Sequence, residues 1–341
     1  MSAKVSYIVA VYNVADYIDQ CARSLLEQTL QETEIVFVDD ASTDDSVATL
    51  RRTLEDYPQK QGQVRIVTHQ TNKGTPLTRW DGLQAATGDY VHFIDGDDYV
   101  EPQMAELMYG KAVETGADVV VCDFVRYLTE GTFIISLAPN GVIGDGGNVR
   151  DDTINREVYP GICFKLVRRS LLTDNPIAWP VSSMADDVVI SSSALYYANR
   201  IAHVSVPLYH YRLNPHSTTN IHTPQHRANR QRMFVQNNNI LFQFLEREGV
   251  AEKYAQGIWI NKVMAKNDVL PYTNKLKYRL LWLRTYPEVN KMLLFGDKNH
   301  KSTYREKIWL LAICLGLFPR LRHRLLSKRL KPARIWVRGE Y

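Results

Sequence analysis

The stretch "FIDGDDYV" ends an apolar run with three carboxylates, Asp95, Asp97 and Asp98, inside four residues. Two unit charges about 4 Å apart at an effective dielectric of 20 repel by about 4 kcal/mol, so such a cluster calls for a compensating charge. Carboxylates two residues apart suit a hard divalent cation. Mg²⁺ or Mn²⁺ takes one or two of them and fills its other positions with waters and phosphate oxygens. A solvated acidic turn is the competing reading of the same residues. Tyr12 can stack on a base, Asp39 or Asp40 can accept from a base N–H or a ribose hydroxyl, and Arg79 can approach a phosphate as a fork-shaped donor. Each also has a plainer use, Asp40 as a helix cap and Arg79 as a surface ion pair. Taken together they supply what a nucleotide diphosphate requires.

These groups recur at one kind of place because short apolar runs alternate with segments of helical period. "VSYIVAVYN", "EIVFVDD", "VRIVTHQ", "DYVHFID" and "DVVVCDFVRY" read as strands. Between them, "ADYIDQCARSLLEQ" puts Ile18, Ala22, Leu25 and Leu26 on one helix face, and "ASTDDSVATLRRTLEDY" is expected to be capped by Ser42 and Thr43. Pro76 opens another helix, and "EPQMAELMYGKAVETGA" has Pro102 near its start and Gly116 at its end. Such alternation implies a mostly parallel sheet flanked by helices, with the ligand site outside the carboxyl ends of the strands. Tyr12, Asp39, Asp40, the "QTNKG" loop, Asp95 and Asp97 all fall at those ends. Further on, "TFIISLAPNGVIGDGGNV" reads as one or two strands and a Gly-rich loop. "ICFKLVRRSLL" and "ADDVVISSSALYYA" read as helices, "HVSVPLYHYR" as a strand, and the chain after His226 as largely helical.

The ordered set "VAVYNVADYIDQCARSLLEQTLQETEIVFVDDASTDDS", "NKGTPLTRWDGLQAATGDYVHFIDGDDYVEP" and "ADDVVI" resembles glycosyltransferase family 2, with its GT-A fold. The likeness is dense over residues 3–125 and sparser over 163–220, where "FKLVRRSLL", "MADDVVI" and "PLYHYRLNPHSTTN" look like later family landmarks. It implies that Tyr12 and Asp40, with Asp39 nearby, hold the base and ribose. Arg79 matches the basic residue of an N-x-G-x-x-x-x-R loop, and Asp95 and Asp97 match the D-x-D pair, with Asp97 the expected direct ligand of Mn²⁺ or Mg²⁺. Asp187 aligns with the catalytic base, and Asp186 stands where the family has Glu. The implied reaction is a single inverting displacement in which Asp187 takes the proton of an acceptor hydroxyl attacking the anomeric carbon of a nucleotide-sugar, a UDP-sugar being the expected donor. His210 or His216, in a lid-like loop, could add a metal or phosphate contact. The other histidines lack ligand spacing, so no separate zinc site is expected. Two alternatives stay open: a sugar nucleotidyltransferase, which should show a Gly-rich loop after the first strand where "VAVYNVADYI" has none, and an inactive nucleotide-binding scaffold.

The 341 residues carry a formal net charge of +4, with 45% hydrophobic and 23% charged residues, which excludes disordered, collagen-like and mucin-like classes. Cys21, Cys122, Cys163 and Cys314 show no paired spacing and read as reduced packing residues. From Lys298 onward the only acidic residues are Glu306 and Glu340. The apolar run Ile308–Phe318 would make about 16 Å of helix against a bilayer core of about 30 Å, so it does not span. Followed by Arg320, Arg322, Arg324, Lys328 and Arg329, it suits an in-plane contact with anionic lipid over 308–330, against packing on the protein body or nucleic-acid binding, of which the last is not expected. The expected division is a catalytic domain at 1–225 (nucleotide half 1–127, acceptor half 128–225), a helical extension at 226–300 and a basic tail at 301–341. The expected setting is the inner face of a cell membrane, with a glycan or lipid-linked glycan acceptor in capsule, exopolysaccharide or O-antigen assembly.

Overall fold

The computed structural model describes residues 3–128, 131–137, 147–215, 217, 221–296 and 303–318. The basic residues Arg320, Arg322, Arg324, Lys328 and Arg329, and His216 of the lid-like loop, lie outside them. The described residues form strands β1 (Val5–Val11), β2 (Thr33–Asp39), β3 (Val64–Thr68), β4 (Tyr90–Asp95), β5 (Tyr99–Val100), β6 (Val119–Leu128), β7 (Gly131–Ile135), β8 (Lys165–Arg168) and β9 (Ile201–Tyr211). The helices are α1 (Ile18–Leu26), α2 (Ser46–Glu55), α3 (Thr75–Ala85), α4 (Met104–Thr115), α5 (Gly147–Ile154), α6 (Arg169–Thr173), α7 (Asp186–Tyr197), α8 (Pro224–Arg247), α9 (Ala255–Asn267), α10 (Leu276–Arg284), α11 (Pro287–Phe295) and α12 (Tyr304–Cys314). They belong to two compact units, residues 1–153 with 158–214, and residues 154–157 with 215–340.

The first unit holds one sheet in the order β3-β2-β1-β4-β8-β6-β9-β5, with β7 on β6. It is parallel through β3, β2, β1 and β4, as the alternating pattern requires, and mixed beyond, where β8 runs antiparallel to both β4 and β6 while β9 runs parallel to β6. Val5, Tyr7, Ile8, Val9 and Val11 of β1 are all buried, the near-continuous apolar run of a strand covered on both faces. On α1, Ile18, Ala22, Leu25 and Leu26 turn inward as their spacing predicts. Gly116 takes φ 68° just past α4 and closes its C-terminus in the left-handed region.

Two glycines fix how close the site elements lie. A Cβ on Gly82 would sit 2.3 Å from Ile8 Cγ2, so α3 rests directly on the sheet with Arg79 one turn earlier. A Cβ on Gly96 would meet the Ala10 carbonyl at 2.8 Å, which keeps the residue between Asp95 and Asp97 against β1.

Three expectations change. Residues 162–172 are not one helix: a 3-10 turn at Ile162–Phe164 leads into β8, and only Arg169–Thr173 is helical. The run is short and apolar, so its period cannot separate strand from helix, and pairing on both edges decides for strand. The cap of α2 also moves. The helix starts at Ser46, whose amide hydrogen-bonds to Asp44 Oδ1 (3.0 Å), while Ser42 and Thr43 sit in the preceding loop: the Ser42 amide donates to Asp39 Oδ1 (3.1 Å) and the Thr43 amide to Asn13 Oδ1 (2.8 Å). Lastly, Cys314 is exposed, whereas Cys21, Cys122 and Cys163 are buried free thiols.

The second unit has its own core, in which Trp282, Val269, Val289 and Ile313 pack together. Lys266 is fully buried there, its Nζ 3.9 Å from the centre of the Trp282 ring and donating to the carbonyls of Trp282 and Thr285 at the end of α10. The inner face of α12 joins this core through Leu310, Ala312 and Ile313, while Leu311 and Leu315 are 58% and 59% exposed. No helix among the described residues is long and apolar enough to cross a membrane.

Candidate active site

The carboxyl ends of β1 and β2 are stapled to one another. Asn13, in the left-handed region at φ 52°, donates its amide to Ser42 Oγ (3.2 Å), and the Val14 amide reaches Ser46 Oγ (2.8 Å). Ala41 sits at φ 60° between Asp40 and Ser42, a conformation that an L-residue adopts at a cost of about 1–2 kcal/mol. Tyr12, 45% exposed, stands at the end of β1.

Asp39 and Asp40 part company here. Asp40 is fully engaged: Oδ1 accepts from His69 Nδ1 (2.7 Å) and the Lys73 amide (2.7 Å), and Oδ2 from the Gly74 amide (2.8 Å). It therefore anchors the "QTNKG" loop. Asp39 takes the Ser42 amide on one oxygen, and the other has no partner among the described residues. His69, whose Nε2 lies 2.9 Å from Asp81 Oδ2, was not among the residues expected from sequence. A lone His after a strand carries no local signal of its partner.

Arg79 is the hub of the site. Buried at 3% exposure, it donates through one terminal nitrogen to Asp186 Oδ2 (2.8 Å) and Asp187 Oδ1 (2.9 Å), and through the other to Asp95 Oδ1 (2.9 Å). The fork expected on a phosphate is spent on three carboxylates. Burial by itself disfavours its charge, but Asp187, Asp95 and Asp186 more than offset this and hold its pKa well above the ordinary value. The carboxylates outnumber the cation. Burial pushes the Asp95 carboxyl up to about 6 against the pull of Arg79, with Asp187 and Asp97 adding to the rise, even though the Asp95 side chain is 28% exposed toward solvent. Burial likewise raises Asp186 to about 7.

Asp186 and Asp187 occupy the first turn of α7, where the helix dipole favours anions. They follow Ala185, which is left-handed at φ 60°. Asp186 is nearly covered, whereas the Asp187 side chain is 30% exposed and its second oxygen has no partner among the described residues. Of the pair, Asp187 is the more exposed and keeps an oxygen unengaged among the described residues.

Asp97 accepts from Asn214 Nδ2 (2.9 Å) through Oδ2 and is partly open. Asp98 is buried: it takes the Tyr209 hydroxyl (2.6 Å) and the Arg212 amide (2.8 Å), and burial followed by the Asp97 and Asp95 charges holds it well above the usual carboxylate range. Tyr209 also receives the Asp95 amide on its hydroxyl oxygen (3.3 Å). Alternation along β9 puts His210 on the opposite face. There it stacks on Tyr99 at 4.2 Å, with Nε2 on Glu101 (2.6 Å) and Nδ1 on Tyr127 (3.0 Å). No three His, Cys, Asp or Glu side chains gather as a metal cage among the described residues, so His210 does not join Asp95 and Asp97. Reading "LYHYR" at strand period would have found Tyr209 and removed His210; Asn214, in a loop, gave no such signal.

An all-oxygen pair with excess negative charge around one Arg still fits a hard cation, because Mg²⁺ and Mn²⁺ need only one or two protein carboxylates when waters and phosphate oxygens complete the shell.

Comparison with known proteins bears on the family and the fold. Residues 6–174 match the family model for glycosyl transferase family 2. The chain is 33% identical over 229 residues to the uncharacterized glycosyltransferase EpsJ of Bacillus subtilis (strain 168), covering 64% of this chain and 63% of EpsJ, so the match spans less than two thirds of that relative. It is 30% identical over 264 residues to the uncharacterized glycosyltransferase YibD of Escherichia coli (strain K12), covering 75% of this chain and 74% of YibD. Among solved structures it is similar to S. aureus TarS 1–349 in complex with UDP-GlcNAc, with TM-score 0.58 and 20% identity over 95% of this chain and 91% of that one. The chain belongs to glycosyltransferase family 2 and has its GT-A fold, with a helical C-terminal region.

Proposed function

We propose that the chain transfers a sugar from a nucleotide-diphosphate donor, a UDP-sugar, to a hydroxyl of a glycan acceptor with inversion at the anomeric carbon. The observation that carries this is the Arg79 bridge, which ties the first carboxylate of the D-x-D pair to Asp187 at the helix start, so that diphosphate side and base side share one cleft. Tyr12 would stack on the base, and Asp39, with an oxygen to spare, would accept from base or ribose, while Asp40 positions the loop. Asp97, helped by Asp95, would hold Mg²⁺ or Mn²⁺, whose charge offsets that of the leaving diphosphate. Arg79 acts as a positioning residue, and Asp187 takes the proton of the attacking hydroxyl. Incubating the protein with Mn²⁺, a panel of nucleotide-sugars and a broad acceptor set, and measuring nucleoside diphosphate released, tests this. Asp187→Asn should lower turnover by about 10²- to 10⁴-fold. Unchanged turnover in that variant, or no donor consumed by the parent, would sink the proposal.

For the acceptor we propose a lipid-linked glycan of cell-surface polysaccharide assembly, met at a membrane face. Leu311 and Leu315, one turn apart on the open side of α12 just ahead of a basic sequence, support it. Because the opposite side of α12 is core, deleting the helix would damage the second unit. The test is Leu311→Ser with Leu315→Ser in liposome flotation over anionic vesicles, and flotation equal to the parent's would exclude this contact.

A further inference from the structure

The half of the first unit beyond β8 carries a cation that the carboxylate cluster does not use. β6 and β9 pair in parallel with Phe124 opposite Tyr209 and Arg126 opposite Tyr211. Tyr209 and Tyr211, two residues apart, share a face, and the Tyr209 hydroxyl lies on Asp98 and the Asp95 amide. Tyr211 and Arg126 are thus the next step along that face toward the carboxyl ends of the strands. Tyr159 closes the group from the side. Its ring lies 5.4 Å from Phe124, 5.6 Å from Phe164 and 6.3 Å from Tyr211. The segment behind it is pinned to α7 by Ser191 Oγ donating to the Pro160 carbonyl (2.5 Å), one helical turn after Asp187. The Tyr159 phenol is pushed up to about 12, chiefly by burial.

Arg126 lies between these rings, its guanidinium carbon 6.0 Å from the centre of Tyr159 and 5.8 Å from that of Tyr211. It forms no ion pair among the described residues, and its Nε is buried without a hydrogen-bond partner. A guanidinium flanked by two rings keeps its charge through its faces and leaves the donor edges to a planar or tetrahedral oxyanion. A buried donor without a partner is a loss that a bound acceptor atom would recover. The donor side lies elsewhere: Tyr12, Asp39 and Asp97 follow β1, β2 and β4, and β8 separates β4 from β6 in the sheet.

We propose that Arg126, clasped by Tyr159 and Tyr211, recognises an oxyanion on the acceptor, so that the enzyme glycosylates an acidic glycan or polyol phosphate rather than a neutral one. This rests on the transferase reading given above and names its substrate class. The test uses the full chain with Mn²⁺, its best donor, and acceptor pairs differing only in charge: ribitol 5-phosphate against ribitol, and methyl glucuronide against methyl glucoside. The first pair reads phosphate and the second carboxylate. The parent should prefer the charged member of one pair by about 10- to 100-fold in kcat/KM, and Arg126→Gln should lose that preference, chiefly in KM. Arg126→Lys should keep part of it, with acceptor-free donor hydrolysis unchanged in both variants. Equal losses on charged and neutral acceptors would make Arg126 structural, and a parallel fall in donor hydrolysis would assign it to the donor phosphates; either overturns the proposal. Calorimetric titration of ribitol 5-phosphate and methyl glucuronide into parent and Arg126→Gln, with UDP and Mn²⁺ present, decides the point even if no donor is turned over. Tighter binding to the parent supports the subsite, and no difference removes it, whereas a parent that binds the anion but consumes no donor overturns only the transferase reading.

Discussion

Replacing Arg79 by Met tests whether one guanidinium holds the Asp95, Asp186 and Asp187 carboxylates together. The Asp186 and Asp187 oxygens that share its terminal nitrogen lie 2.8 and 2.9 Å from it, so they are at most about 5.7 Å apart and repel by about 3 kcal/mol at an effective dielectric of 20. Asp95, 2.9 Å from the other terminal nitrogen, adds a third negative charge to the group. Removing the shared partner of a buried ion pair costs about 3–5 kcal/mol, because the remaining charges are left uncompensated. Arg79→Met should therefore lose about that much stability in the first unit. A second change, Asp186→Asn, then removes at least the Asp186–Asp187 repulsion and should restore about 1–3 kcal/mol of the loss, although Asp186→Asn in the parent destabilises. Urea unfolding of parent, both single variants and the double variant in EDTA gives the cycle, and amide exchange across α3 and α7 localises the change to the site. If Arg79→Met stays within about 1 kcal/mol of the parent, or the double variant loses the sum of the singles, the hub is not the source of the site's order.

Two further outcomes follow from local geometry. His92, buried beside Tyr7 with its Nε2–H on the Cys163 carbonyl (2.7 Å), is pushed down to about 4, mainly by burial. Its folded value lies below the unfolded one of about 6.5, so its contribution is whole above pH 6.5 and is lost between about pH 6.5 and 4 as only the unfolded chain takes up the proton, a change of about 3 kcal/mol. His92→Phe should flatten the parent's stability over that window, and an identical pH slope in denaturant titrations of both proteins would refute this. Ala41→Gly should raise stability by about 0.5–1 kcal/mol, since φ 60° is strained for Ala and free for Gly; an unchanged or lower urea midpoint would show that the turn is not strained.

Much of the fold is local information and could be read directly. The largely apolar runs of β1, β2 and β4, the inward face of α1 and the glycine after α4 follow from period and propensity, which neighbouring residues alone set. The positions of Tyr12, Asp39, Asp40, Asp95 and Asp97 were legible for the same reason, because strand ends place them whatever the distant chain does, and Arg79 was legible on its helix, whereas Asp186 and Asp187 were singled out by the family resemblance. Which atoms of these residues stay available was not legible. Asp40 is used up by His69 and two loop amides, Asp39 is not, and Arg79 is held by carboxylates 16 and more than 100 residues away. The strand at Lys165–Arg168 was likewise decided by pairing with other strands. Sequence spacing fixes the direction a side chain leaves its own element, but hydrogen-bond saturation and net charge in a cleft are sums over elements brought together only by the tertiary fold.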